Sequence, residues 1–378
     1  MKKNLMRIIS SEGALNFLSS VMAIAVGLLI GLVILLVSNA SQALGAFGMI
    51  LTSGIRSGRE MGQVLYFATP VIMTGLSVGF ANKTGLFNIG ASGQFICGAY
   101  ASILVGVHCT FLPGHVHWIA AILAAMAAGA LWGCIPGVLK AFFNVNEVIS
   151  CIMTNYIGMI LVNYLITQSV YDPASNQSSR VAASAILPKM GLDSLFREGG
   201  RVSSVNGGIV IAIIFGIIVY LILSKTKFGY ELKACGYNRG AAGYAGINEN
   251  RCIILSMVIA GALAGLGGAL QYLAGAGNAI DVKDVLAPEG FNGIPVALLG
   301  MNNPIGILFS GMLIAYLNVG GFNMQLYAFA PQVIEIMIAI IIYFSAFALL
   351  LKGFINSAGR KIRSSSAKEE NVKGGGVK

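Results

Sequence analysis

The sequence predicts an all-α polytopic membrane protein with about ten transmembrane segments, one of them a short broken or re-entrant helix, and with both termini in the cytoplasm. Three observations carry this expectation. Of 378 residues, 56% are hydrophobic and only 10% are Asp, Glu, Lys or Arg, against about 45–50% and about 25% in soluble domains. Apolar runs recur from Phe17 to Leu351, and lipid offers no water to unpaired strand edges, so the runs are read as helices. Basic residues are unevenly divided between successive connectors, which sets orientation through the positive-inside rule.

The first run, Phe17 to Val37, follows Lys2, Lys3 and Arg7. That charge pattern also opens secretory signal peptides, and Ser38-Asn39-Ala40 loosely fits a cleavage site. A signal core is about 7–15 residues, whereas a spanning helix needs about 20, so a retained first helix is expected. Further runs fall at 63–81, 91–107, 117–139, 148–166, 207–223, 252–272, 291–301, 304–320 and 332–351. With the N-terminus inside, seventeen of the 24 Lys and Arg lie in inside stretches: residues 1–16, Lys83, Lys140, 224–251 and 352–378. The other seven lie in 38–62, 167–206 and at Lys283. The expected organisation is a cytoplasmic N-terminus over 1–16 and a membrane domain over 17–351, with an inside loop at 224–251 and an extracytoplasmic loop at 167–206. A flexible basic tail over 352–378 follows, because its Ser364–Ser366 and Gly374–Gly376 runs cannot bury a core.

The run 291–301 is too short for a full crossing and carries Gly293, Pro295 and Gly300, with a turn at Asn302-Asn303-Pro304. Interrupted helices persist at membrane depth where protein or a water-filled path satisfies the freed backbone. Residues 290–304 are therefore expected beside a translocation pathway, the alternative being a short helix tucked into the bundle. Many of the 49 glycines recur at four-residue spacing, as in Gly27/Gly31, Gly75/Gly79, Gly129/Gly133/Gly137 and Gly261/Gly265. That spacing permits close helix packing and says nothing of function.

Chemistry is sparse. The net charge of +10 is spread between apolar segments and along one tail, with no stripe that a duplex could contact, so no nucleic-acid partner is expected. The cysteines (Cys97, Cys109, Cys134, Cys151, Cys235, Cys252) show no CxxC spacing and read as small hydrophobes. His108, His115 and His117 share a short hairpin without a carboxylate, so interfacial histidines beside Trp118 are expected and no metal. Glu335 stands within an apolar run, where ionised insertion costs about 2.5–3.5 kcal/mol. It is read either as a pathway-facing group that binds a polar substrate or shuttles a proton, or as a first-turn residue satisfied by water and the helix dipole. None of the lysines follows a glycine, so the Gly-Lys core of a P-loop is absent. No catalytic group and no enzyme activity of the chain itself are expected, and any nucleotide energy comes from a partner.

Residues 224–251 look too ordered for a linker. Ala241 to Ile247 form a compact small-residue stretch around one aromatic, suited to a groove on another protein or to an interfacial helix. Here the chain resembles a known family. Gly236-Tyr-Asn238-Arg-Gly-Ala241-Ala242-Gly-Tyr244-Ala245-Gly246-Ile247 resembles the cytoplasmic coupling helix of permease subunits in ABC importers of the branched-chain amino acid, simple sugar and nucleoside superfamily. Thr84-Gly-Leu-Phe-Asn88-Ile-Gly90-Ala-Ser-Gly93-Gln94 resembles the signature before the third helix of that superfamily. Asn146-Glu147 through Asn155-Tyr156, and Gly290 through Gly300 with Asn292, resemble the nucleoside branch. Ser92 stands where an acidic residue is frequent and Pro295 where alanine is usual, which bears on a carboxylate role and on the local helix break.

The resemblance implies a multi-pass permease in the bacterial cell (plasma) membrane, forming a pathway for nucleosides with a second permease subunit, the same chain or a different one. An extracytoplasmic substrate-binding protein or lipoprotein would deliver the cargo. Partner ATPase subunits would use ATP and Mg, with no cofactor bound by this chain, and would grip Gly236, Asn238, Ala241, Ala242, Tyr244, Ala245, Gly246 and Ile247. Polar groups along the pathway would come from Asn88, Gln94, Asn146, Glu147, Asn155, Tyr156, Asn292 and Glu335, with Asn163 a further donor. Alternatives are a simple-sugar or branched-chain amino acid permease, or, more remotely, an ion-coupled carrier that uses Glu335.

Overall fold

The computed structural model describes residues 12–275, 277–330 and 332–346. The expected tail over 352–378 and most of the expected N-terminal stretch lie outside the described residues. The chain forms two compact units, one taking residues up to Leu44 and from Ala330 onward, the other Gly45 to Phe329.

The first unit holds the part of α1 (Glu12–Arg56) up to Leu44, and α13 (Gln332–Ala346). A Cβ at Gly27 would collide with Ile341 and one at Gly31 with Met337, so this glycine pair serves close packing. The stretch 38–62, expected as a loop, is mostly helical. Helix α1 breaks at Asn39, whose backbone is extended and whose Oδ1 accepts a 2.8 Å bond from Ser41 Oγ, and then continues to Arg56. Ala, Leu, Met and Gln beyond the break favour a second helical piece.

In the larger unit, α2 (Gly58–Asn82) starts behind Ser57, whose hydroxyl accepts from the Glu60 N–H at 3.2 Å. It is followed by α3 (Ala91–His108), α4 (Gly114–Phe143) and α5 (Glu147–Ser169). The loop after α5 is folded. Antiparallel β1 (Tyr171–Asp172) and β2 (Gln177–Ser178), a 3-10 turn at Ala183–Ala185, α6 (Leu192–Leu195), and antiparallel β3 (Arg197–Glu198) and β4 (Arg201–Val202) succeed one another. Next come α7 (Gly208–Lys225), α8 (Lys227–Tyr237), α9 (Arg239–Tyr244), α10 (Glu249–Tyr272), α11 (Pro288–Leu299) and α12 (Pro304–Met324).

The centre is α10, packed on α4, α3 and α2. Its Gly261 and Gly265 abut the α4 backbone so closely that a Cβ on Gly261 would strike the Gly129 carbonyl, while Gly98 of α3 meets Gly265. The four-residue glycine spacing thus brings backbones together where no side chain fits. Among the described residues each expected apolar run overlaps a helix, and seven helices are long and apolar enough to cross a membrane. Helices α3, α11 and α13 are not among the seven. Helix α11 is short as expected but unbroken: Pro295 sits inside its 12 residues, and the interruption lies after it. Met301 and Asn302 both take left-handed backbone, and Asn303 then caps α12 by accepting from Ile305 N–H at 3.0 Å.

Within this unit the helix ends sort to two ends. One gathers Lys83, the Lys140–Glu147 ion pair at 2.9 Å, and α8, whose Gly236 abuts the Lys83 carbonyl. The opposite end gathers the 170–207 loop, tied to α3 by Ala182 N–H to Gly106 O and to α10 by Leu187 N–H to Leu273 O, both 2.9 Å.

Candidate functional site

At the Lys140 end, the chain leaves α7 and turns sharply. Thr226 Oγ1 accepts from Gly229 N–H at 3.0 Å, and only glycine at 229 lets α8 lie against Ile222 and Leu223. Helix α8 buries Gly229, Leu232 and Cys235. Burial pushes the Cys235 thiol above its ordinary range. Lys83 lies alongside, and burial, then the Lys233 ammonium, hold it below the usual lysine range.

Asn238 separates the two short helices. Its backbone is extended, and its Oδ1 accepts from Ala241 N–H at 3.0 Å to start α9. Arg239 Nε donates to Glu249 Oε2 at 2.6 Å, tying α9 to the first turn of α10. Gly246, at φ +81, closes α9 with bonds from its own N–H to Gly243 O and from Ile247 N–H to Ala242 O, each 3.0 Å. Of the residues expected to contact an ATPase, Ala242 is buried and Ile247 half-buried. Gly236, Asn238, Ala241, Tyr244, Ala245 and Gly246 are exposed. Tyr244 is 98% and Tyr237 91% exposed. Two bare aromatics on a capped, rigid tip are what a protein-docking surface presents.

The expected pathway residues divide into separate groups. Asn88, Gln94 and Asn155 come together in the core. Asn88 Nδ2 donates to Gln94 Oε1 at 2.9 Å and to Ser77 Oγ at 3.1 Å, and Gln94 Nε2 returns a bond to Asn88 Oδ1 at 3.1 Å. Asn155 accepts from Gly93 N–H at 2.8 Å and donates to Ile89 O at 3.1 Å. These amides hold the irregular 84–90 stretch against α5. Asn146 caps α5 through Val148 N–H at 2.8 Å, and Glu147 is paired with Lys140. Tyr156 and Asn292 are exposed. Glu335 is exposed in the first turn of α13. His117, expected at the interface, packs against protein. It is fully buried, with Nε2 donating to Val105 O at 2.9 Å and Nδ1 2.8 Å from Ser184 Oγ, because the folded 170–207 loop covers it.

Sequence reasoning missed a cavity of about 180 Å³ walled in part by Ser92, Asn155, Asn163, Tyr272, Lys283 and Glu289. It exists because the described residues between α10 and α11 run without regular helix. Side chains hold that segment: Asn278 Nδ2 donates to Gln271 O at 2.6 Å and Tyr66 Oη at 2.9 Å, and Asn163 Nδ2 to Lys283 O at 3.0 Å. Asp281 accepts from Lys283 Nζ at 2.8 Å and Gln177 Nε2 at 2.6 Å, and those bonds, the Lys283 bond foremost, hold its carboxyl below the usual range. Glu289, in the first turn of α11, accepts from Gln271 Nε2 at 2.8 Å. The signal for this cavity was Pro288-Glu289, an acidic residue at the start of the short run.

A model of the branched-chain amino acid transport system/permease component family matches residues 60–346. The chain is 37% identical to the guanosine ABC transporter permease protein NupP of Bacillus subtilis, over 92% of this chain and 97% of that protein. It is 35% identical to the nucleoside ABC transporter permease protein NupB of Lactococcus lactis, over 91% and 94%. It is 32% identical to the glucose ABC transporter permease protein TsgB13 of Haloferax volcanii, over 86% and 85%. No solved structure matches the chain. With seven apolar helices of spanning length and this match over most of its length, the protein is a multi-pass plasma-membrane protein that belongs to the branched-chain amino acid transport system/permease component family.

Proposed function

We propose that this permease subunit of an ABC importer carries nucleosides. The observation that carries the cargo assignment is that the relatives named for guanosine and nucleosides match at 35–37% identity over more than nine-tenths of the chain. In this reading about ten segments cross or enter the membrane over 17–351, with residues 1–16 and the tail 352–378 cytoplasmic. The tip at 236–247 meets the ATPase subunits, which use ATP and Mg and leave this chain free of cofactor and catalytic duty. The loop at 167–206 faces a substrate-binding protein or lipoprotein. A second permease subunit completes the pathway in the bilayer. Asn88, Gln94 and Asn155 hold its wall rather than contact cargo, while Tyr156 and Asn292 are positioned to touch it; Asn146 and Glu147 secure the Lys140 end.

The glucose permease relative supports a second reading, a sugar cargo. Uptake of labelled nucleosides, with ribose, glucose and leucine as comparators, separates the readings in cells holding the chain with its receptor, ATPase and second permease. Saturable uptake confined to nucleosides is expected. Uptake of glucose or leucine in its place would overturn the assignment.

A further inference from the structure

The cavity between α3, α5 and the 279–289 segment has a chemistry that the family assignment does not specify. Its depth follows from helix rise: Asn155 and Asn163 lie about 12 Å and about 24 Å along α5 from Glu147, so the cavity runs from mid-membrane toward the Lys283 end. Irregular backbone is tolerated at that depth where it lines a polar space. Its volume of about 180 Å³ is below the roughly 300–1,000 Å³ of pockets that enclose a whole drug-sized ligand. At about 30 Å³ per water it holds roughly six waters, the room of a single ring.

The lining has committed and uncommitted groups. Both carboxylate oxygens of Asp281 and both protons of the Asn163 amide are used in holding the segment, and the Lys283 ammonium spends one of its three N–H donors on Asp281. Ser92 Oγ donates to Ala287 O at 2.8 Å. Among the described residues, Glu289 Oε2 and Asn163 Oδ1 accept no hydrogen bond, and the Tyr272 hydroxyl makes none. The uncommitted acceptors, a carboxylate oxygen among them, complement a ligand edge of hydroxyl donors.

We propose that this cavity is a polyol subsite that takes the vicinal hydroxyls of the imported molecule, with Glu289 accepting from them and Asn163 and Tyr272 lining the ring. The proposal deepens, and rests on, the reading of the chain as a nucleoside permease. A vicinal diol comes from the ribose of a nucleoside or from a free sugar, and the test distinguishes them.

The test measures uptake of a labelled ribonucleoside and its 2′,3′-dideoxy counterpart by the full transporter, at membrane amounts matched by immunoblot. Glu289→Gln keeps an acceptor for Gln271 and replaces the free oxygen by a donor. It is expected to raise the KM for the ribonucleoside about tenfold and that for the dideoxy analogue less than twofold, since a bond to a charged acceptor is lost only with the diol. Tyr272→Phe, which removes one oxygen without changing the fold's packing, is expected to raise the ribonucleoside KM about threefold alone. Equal losses for both cargoes, or no change in either, would overturn the subsite. Wild-type uptake of a sugar in place of nucleosides would overturn the nucleoside reading, and the subsite would then stand only on the same Glu289 dependence for the sugar over its deoxy analogue. Uptake of leucine alone would overturn both.

Discussion

The two ends of α10 make an instructive comparison. Before it, residues 226–248 are almost wholly helical, and their backbone groups are satisfied by caps at Thr226, Asn238 and Asn248. That frees the side chains, and Tyr237 and Tyr244 stand nearly bare. After it, the described residues of 273–287 lack regular helix, and side chains of Asn278, Gln177, Asn163 and Tyr66 are drawn in to hold the segment. A self-satisfied backbone presents side chains to a large partner; a backbone held by side chains encloses a small polar space. One connection is suited to a protein, the other to a small molecule.

The sharpest break of this comparison is Gly246→Arg. Left-handed backbone costs a non-glycine residue about 1–2 kcal/mol, and a long cation would project from the docking tip. Uptake is expected to fall more than tenfold while membrane insertion, read by immunoblot, stays normal. The packing of α10 itself is next. Gly133→Leu places a side chain against the Met257 carbonyl, and overpacking costs about 1–3 kcal/mol, so severalfold less folded protein is expected in a detergent thermal-stability assay. Arg239→Ala leaves Glu249 unpaired at the base of the tip, and a threefold to fivefold drop in uptake is expected with unchanged cargo preference. Glu335→Gln is expected to change uptake less than twofold; a near-complete loss would instead support the ion-coupled carrier.

How much of this was legible in sequence depended on whether the signal was local. The glycines of α4 and α10 announced close packing by spacing alone, and the tip was marked by the small-residue stretch Ala241 to Ile247 around Tyr244. The helix beyond Asn39 was missed because Ser38-Asn39-Ala40 carries the composition of a helix end, yet one extended residue sufficed for the break. The amides Asn88, Gln94 and Asn155 drew attention as polar groups in apolar runs; the Asn88–Gln94 pair is local, but the bonds of Asn155 to Gly93 and Ile89 depend on α3 meeting α5. The cavity joins Asn163, Tyr272 and Glu289 across more than a hundred residues, and no periodicity encodes that meeting. The burial of His117 was not legible because it depends on the distant 170–207 loop folding over it.

The central claim is that ATP turnover by partner subunits, acting through the 236–247 tip, moves nucleosides through this chain. Nucleoside uptake measured in parallel after ATP depletion and after addition of an uncoupler tests it most directly. Uptake that stops without ATP and survives collapse of the proton gradient is the predicted result; uptake that persists without ATP and stops with the uncoupler would contradict it.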